Sequence, residues 1–147
     1  MPVRNLAMAL LMPLLASASL AQHGPWAVGV HVGSYHDAGE FKNFNPGLYL
    51  RYGPWSVGAL HNSVDKDSRY VAYTLETKAP VAWADTVALT VGVIDGYYDS
   101  QWVHNGIAPL VAPSVSFKAF DKTRVRVALL PGIKVTTTLH LTLEWAL

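Results

Sequence analysis

The chain contains no cysteine, which removes disulfide staples and thiolate metal sites from consideration. Charge is scarce: Asp, Glu, Lys and Arg together make up 14% of the residues, while 51% are apolar. So few charges do not coat the outside of a soluble domain of this length. The net charge of +1 offers no field for a nucleic-acid backbone. Helix-period stretches are absent after Ala21. Every later apolar run is broken within about ten residues by Gly, Pro or a charge, short of the roughly 20 that a spanning helix needs. No internal repeat, low-complexity tract or linker divides the sequence. What remains is one domain that must bury its apolar residues on strands.

The first residues have the make-up of an export signal. Arg4 supplies a positive n-region, Leu6 to Leu15 an apolar stretch, and Ser19-Leu20-Ala21 a small-x-small cleavage site. Read as a membrane anchor, residues 6–20 are too short to span. Cleavage after Ala21 assigns 1–21 to a signal peptide and 22–147 to the mature domain. With Arg4 gone, the eleven basic residues of the chain fall level with the ten acidic ones.

Eight runs read as strands: Trp26–Tyr35, Gly47–Tyr52, Trp55–Asn62, Arg69–Lys78, Thr86–Tyr97, Ala108–Phe117, Arg124–Leu130 and Thr137–Leu147. Several alternate with a period of two, which gives a strand two unlike faces. In the last, Leu139, Leu141, Leu143 and Trp145 oppose His140, Thr142 and Glu144. Two barrels fit this alternation. A lipocalin-like soluble barrel points its large apolar residues inward, whereas a membrane barrel turns them to lipid and keeps small and polar residues inside. The export signal, the even strand count and the shortage of charge select an all-β, eight-stranded, antiparallel up-and-down transmembrane barrel of the bacterial outer membrane. Trp26, Tyr52, Trp55, Trp83, Tyr97 and Trp145, near run ends, are expected in its interfacial girdles. Such a barrel is expected to be a monomer without cofactor.

Strand direction then sorts the interior. Arg51, Glu76, Arg124, Arg126 and Glu144 fall inward near the periplasmic end, where they must pair. Further out the inward positions are small or apolar: Gly29, Gly33, Gly58, Leu60, Gly92, Ile94, Leu110, Ala112 and Leu130. A closed floor beneath such a lining is either a packed core or a narrow pocket for an acyl chain. Ser63 follows the third strand, beside His61 and Asn62, and His36 follows the first at the same level. A serine with a histidine at one rim is a candidate acyl-transfer site; the alternative is a set of solvated loop residues. His104 with Asp99 and Asp95, or His31 with His140, lack the spacing of metal ligands, and the latter pair reads as hydrogen-bonded lumen filler.

The chain resembles the outer-membrane lipid A palmitoyltransferases over roughly 47–147. Asn62-Ser63 followed by Tyr73, the Thr90-Val91-Gly92-Val93 strand, the proline-interrupted Ile107 to Phe117, the Leu130-Pro131-Gly132 turn and the final strand carry the likeness. The resemblance implies Ser63 as catalytic serine, His36 as catalytic histidine and Asn62 in place of an acidic neighbour. It implies Thr74 where that family has a pocket-floor glycine; beside it, Gly58, Leu60, Gly92 and Leu110 of the inward row are the expected substrate-binding positions. It also implies a wall loosened by Pro109, Pro113 and Pro131, and partners among outer-membrane lipids: a phospholipid acyl donor and a lipid A acceptor. Two departures stand out. Asn62 removes a charge, and the amphipathic helix before the first strand is missing. Lipid A deacylases also set His and Ser on such a barrel, but their His-x-Ser-Asn order is reversed here as His61-Asn62-Ser63. The expected activity is acyl transfer or hydrolysis; the rival is a non-enzymatic barrel whose loops bind partners.

Overall fold

The computed structural model describes residues 26–37, 39–131 and 137–147. The expected signal peptide and Gly132 lie outside the described residues. Eight strands follow one another: β1 Trp26–His36, β2 Phe44–Tyr52, β3 Trp55–His61, β4 Asp67–Lys78, β5 Thr86–Ile94, β6 Ala108–Phe120, β7 Thr123–Pro131 and β8 Thr137–Ala146. Each pairs antiparallel with the next and β8 closes onto β1, giving an up-and-down barrel. Closure leaves no sheet edge.

The alternation seen in the sequence sorts the two faces. On β8, Thr138, His140, Thr142 and Glu144 are buried while Leu139 and Leu141 are exposed. Val57, Val91, Val93 and Val111 stand on the outside with a third to a half of their surface free. Apolar residues out and polar residues in is the transmembrane arrangement and excludes the lipocalin-like one. Aromatic rings gather at the end bearing the β2–β3 turn, called the floor end below. Trp26 meets Tyr52 with ring centroids 4.7 Å apart, Trp55 meets Tyr73 at 5.0 Å and Trp83 stacks on Phe117 at 6.0 Å. In that turn Gly53 takes φ +55°, a conformation open to glycine without strain. Tyr97 departs from the expected girdle. It packs with Leu60, Tyr70 and Leu110 against Ile94, Val103 and Ala108 at the opposite, rim end.

A bulge corrects one part of the expected interior. The register of β1 shifts between His31 and Gly33 against both neighbours. One extra residue reverses the alternation beyond it. Gly33 therefore pairs with Leu141 on the outer face, and Ser34 pairs with His140. A Cβ on Gly33 would lie 2.6 Å from the Asn43 carbonyl oxygen, so the close approach of the chain there requires glycine.

Candidate functional site

The floor is a network of buried ions. Arg51 holds Glu144 at 2.7 Å, and Arg124 holds Glu76 at 2.9 Å and Asp85 at 3.0 Å. Arg126 clasps the other oxygen of Glu76 and donates to Ser114 at 3.0 Å. Three guanidiniums thus face three carboxylates, the balance a low-dielectric interior demands. Tyr49 adds a hydrogen bond from its hydroxyl to Glu144 at 3.0 Å. The inward, paired charges expected from strand direction are in place.

Above the floor the lumen is more polar and fuller than a glycine lining implies. The Tyr49 ring covers Gly29 and the Tyr70 ring covers Gly58: a Cβ at either glycine would sit 2.1 and 2.6 Å from ring atoms. Large rings laid over cross-strand glycines fill the space the glycines open. Gly92 is close to backbone instead, with a Cβ 2.2 Å from the Val71 carbonyl oxygen. Neither Gly58 nor Gly92 lines free space, which corrects two of the five positions expected to touch substrate. The other three, Leu60, Thr74 and Leu110, do border a cavity of about 650 Å³. Thr74 and its cross-strand neighbour Thr90 join hydroxyls on its wall at 2.9 Å.

This cavity runs from His36, Asn62 and Ser63 at the rim down to Arg51, Arg126 and Glu144. Pro109 and Val111 also line it, although the chain alternation turns both outward. The reason lies in the seam between β6 and β7. Among the described residues their pairing begins at Ser114↔Ala128, while β6 stays paired with β5 up to Ile94↔Ala108. Proline has no N–H to give, and Pro109 and Pro113 fall in the unpaired stretch of β6. At the top, the β5–β6 loop folds inward and buries Val103 against Ile94 and Ala108.

The rim residues come to one mouth but find different partners. His36 places Nδ1 3.0 Å from the Asn43 side-chain oxygen and stacks on Phe41 at 4.9 Å. The Ser63 carbonyl accepts the Lys42 N–H at 3.2 Å, and Lys42 pairs with Asp65 at 2.5 Å. The β1–β2 loop is thus clasped to the β3–β4 loop, and no His36–Ser63 hydrogen bond forms among the described residues. Lys42 first, and then His61, hold the Asp65 carboxyl below the usual carboxylate range.

Asn62 is wholly committed to loop structure. It is buried, its Nδ2 donates to Ser68 Oγ and the Gly96 carbonyl, both at 2.9 Å, and its Oδ1 accepts the N–H groups of Val64 and Lys66 at 3.0 Å. These bonds use both amide ends, so Asn62 does not orient His36 in this structure. They also explain why an amide stands there: a carboxylate would face the Gly96 carbonyl with no proton to give. Asn62→Asp and Asn62→Ala are both expected to loosen the loop by about 1–3 kcal/mol. Hydrogen exchange at the Val64 and Lys66 amides measures this; unchanged protection would refute it.

One cluster was not legible as a site. Ser34 Oγ lies 2.8 Å from His140 Nδ1, His140 Nε2 lies 2.8 Å from His31 Nδ1, and His31 Nε2 lies 3.1 Å from the Tyr70 hydroxyl. His31 and His140 bond to each other, as the filler reading expected. Ser34 joins them only because of the bulge.

The fold and lumen define a class: an eight-stranded transmembrane-type β-barrel with an ionic floor and a cavity open at the rim. No protein-family model matches the chain, and no curated protein does. Among solved structures it is similar to a chain described as "De novo design of transmembrane beta-barrels", with a TM-score of 0.56 and 15% identity. That match covers 86% of this chain and 98% of the designed one. At such identity the likeness is one of fold. The resemblance to palmitoyltransferases has no counterpart in these comparisons.

Proposed function

We propose that this protein is a bacterial outer-membrane barrel that takes one acyl chain of a phospholipid or lipid A into its lumen and transfers or hydrolyses it. The observation that carries this reading is the cavity of about 650 Å³, closed at the floor and bordered by outward-facing Pro109 and Val111 at an unpaired seam. Its size is that of small-molecule sites in general. A lipid in the surrounding leaflet meets the seam sideways, and its chain finds Leu60, Leu110 and Leu130 inside. The ester then lies toward the mouth, where Ser63 is the candidate nucleophile and His36 the candidate base. For direct proton transfer His36 leaves Asn43 and comes within hydrogen-bond reach of Ser63.

The test is mass spectrometry of lipid A and phospholipids from cells with and without the protein. A changed acylation pattern supports the reading; an unchanged one with the barrel correctly inserted supports a non-enzymatic barrel. A second test addresses the seam. Continuing the β6–β7 register past Ser114↔Ala128 brings Pro113 opposite Leu129. The chain has no cysteine, so Pro113→Cys with Leu129→Cys forms one defined bridge. Activity should vanish on oxidation and return on reduction. Full activity in the bridged form would place lipid entry at the rim.

A further inference from the structure

The same cavity holds a second hydroxyl–imidazole pair, below the rim and built on strands instead of loops. From these contacts we propose that Ser34 is a nucleophile toward ester carbonyls, with His140 as its general base and His31 and Tyr70 as positioning residues. The choice of an acyl ester as substrate rests on the function proposed above; the hydroxyl–imidazole geometry does not.

An activated serine needs a base within about 2.6–3.2 Å, and a third group that orients the base. The Ser34–His140 and His140–His31 contacts, each 2.8 Å, meet both requirements. His31 is itself held on a second side: it reaches the Tyr70 hydroxyl at 3.1 Å and lies against the Tyr49 ring at 5.2 Å. Tautomers fix the direction of the chain. When Ser34 donates to His140 Nδ1, His140 Nε2–H donates to His31 Nδ1, and His31 Nε2–H donates to the Tyr70 oxygen. In that state the Ser34 hydroxyl is aimed at a free imidazole lone pair. The reverse chain begins at the Tyr70 O–H and ends with His140 donating to Ser34; both imidazoles then hold the other tautomer, and the Ser34 hydroxyl proton points away from His140. Ser34, His140, His31 and Tyr70 all border the cavity, which filler alone does not require. Asn45 stands on the same wall, 1% exposed, with its Oδ1 unpartnered. It is free to meet a polar group of the ligand.

The step balances without a cofactor. Ser34 Oγ bonds to the ester carbonyl carbon as His140 Nδ1 takes the hydroxyl proton. The tetrahedral adduct collapses, the ester C–O bond breaks and His140 returns the proton to the leaving alcohol oxygen. Water or an acceptor hydroxyl, deprotonated by His140, then releases the acyl group from Ser34.

The experiment treats the whole barrel in detergent micelles with hexadecyl fluorophosphonate and locates the phosphonylated residue by peptide mass spectrometry. Folding of each variant is checked by heat-modifiable gel mobility, and an unfolded sample serves as control. Labelling of Ser34 in the folded barrel only is expected, falling about a hundredfold in His140→Asn. His31→Asn, if it folds, should shift the pH profile of Ser34 labelling, which a mere filler would not do. Labelling at Ser63 instead would overturn the proposal and favour the rim pair. No labelling, with lipid acylation still changed in cells, would overturn it and leave the acyl-chain reading standing. No labelling with unchanged lipids would remove both.

Discussion

Replacing Glu76 with alanine is expected to cost the barrel about 3–5 kcal/mol, the usual loss when one partner of a buried ion network is removed. Glu76 sits at the centre of the floor. It faces Arg124 at 2.9 Å and Arg51 at 3.8 Å and is clasped by Arg126, with 9% of its side chain exposed. Without it, three guanidiniums share Glu144 and Asp85, and an excess positive charge is left in the buried floor. Glu76→Gln keeps the volume and one acceptor, so it should lose less. Denaturant unfolding from lipid vesicles reads both variants. A loss under about 1 kcal/mol for the alanine variant would mean that water reaches the arginines.

The backbone was nearly all legible before the structure. Strand bounds agree to within a few residues because each strand has one outward apolar face, and a slip by one residue would put Arg51, Glu76 or Glu144 there. Two things were hidden. The first is the bulge at His31–Gly33: it coincides with a close approach between Gly33 and Asn43, which exists only once two strands and a loop are assembled. That single shift turned an expected lumen glycine outward and brought Ser34 to His140. The second is where side chains lie along the lumen. Alternation places Tyr49 and Tyr70 inside but says nothing of their rings folding over Gly29 and Gly58. Small residues in a barrel wall therefore do not by themselves mark empty space.

The rim shows the same limit in another form. His36 and Ser63 follow strands that end at one mouth, and the structure brings both to the cavity. Which atoms they touch depends on the β1–β2 loop, where Phe41, Asn43 and Lys42 engage His36 and the Ser63 backbone. Loop contacts of that kind carry no periodicity and cannot be read from alternation. The strand-borne cluster of Ser34, His140 and His31 is set by register, so its geometry is fixed by the sheet itself. Pre-organised groups on rigid elements hold catalytic distances better than groups on loops.

Val91→Arg separates a lipid-facing wall from a watery one. Val91 lies in the outward row of β5 with Val87, Leu89 and Val93, is 39% exposed, and pairs with outward-facing Tyr73 and Val111. In water an arginine at so exposed a site would change stability by roughly 0.5 kcal/mol or less. In a bilayer the charge sits within the hydrocarbon and should cost about 2–4 kcal/mol if Val91 is near the midplane. Phe120→Arg, at the β6–β7 turn where the residue is 76% exposed, supplies the interfacial control at about 0–1 kcal/mol. Unfolding from vesicles should therefore rank Val91→Arg well below the control. Equal and small effects at both positions would contradict a membrane-embedded barrel. A large effect at Val91 alone ties the alternation seen in the sequence to lipid, because no contact within the protein distinguishes an exposed valine there from one in water.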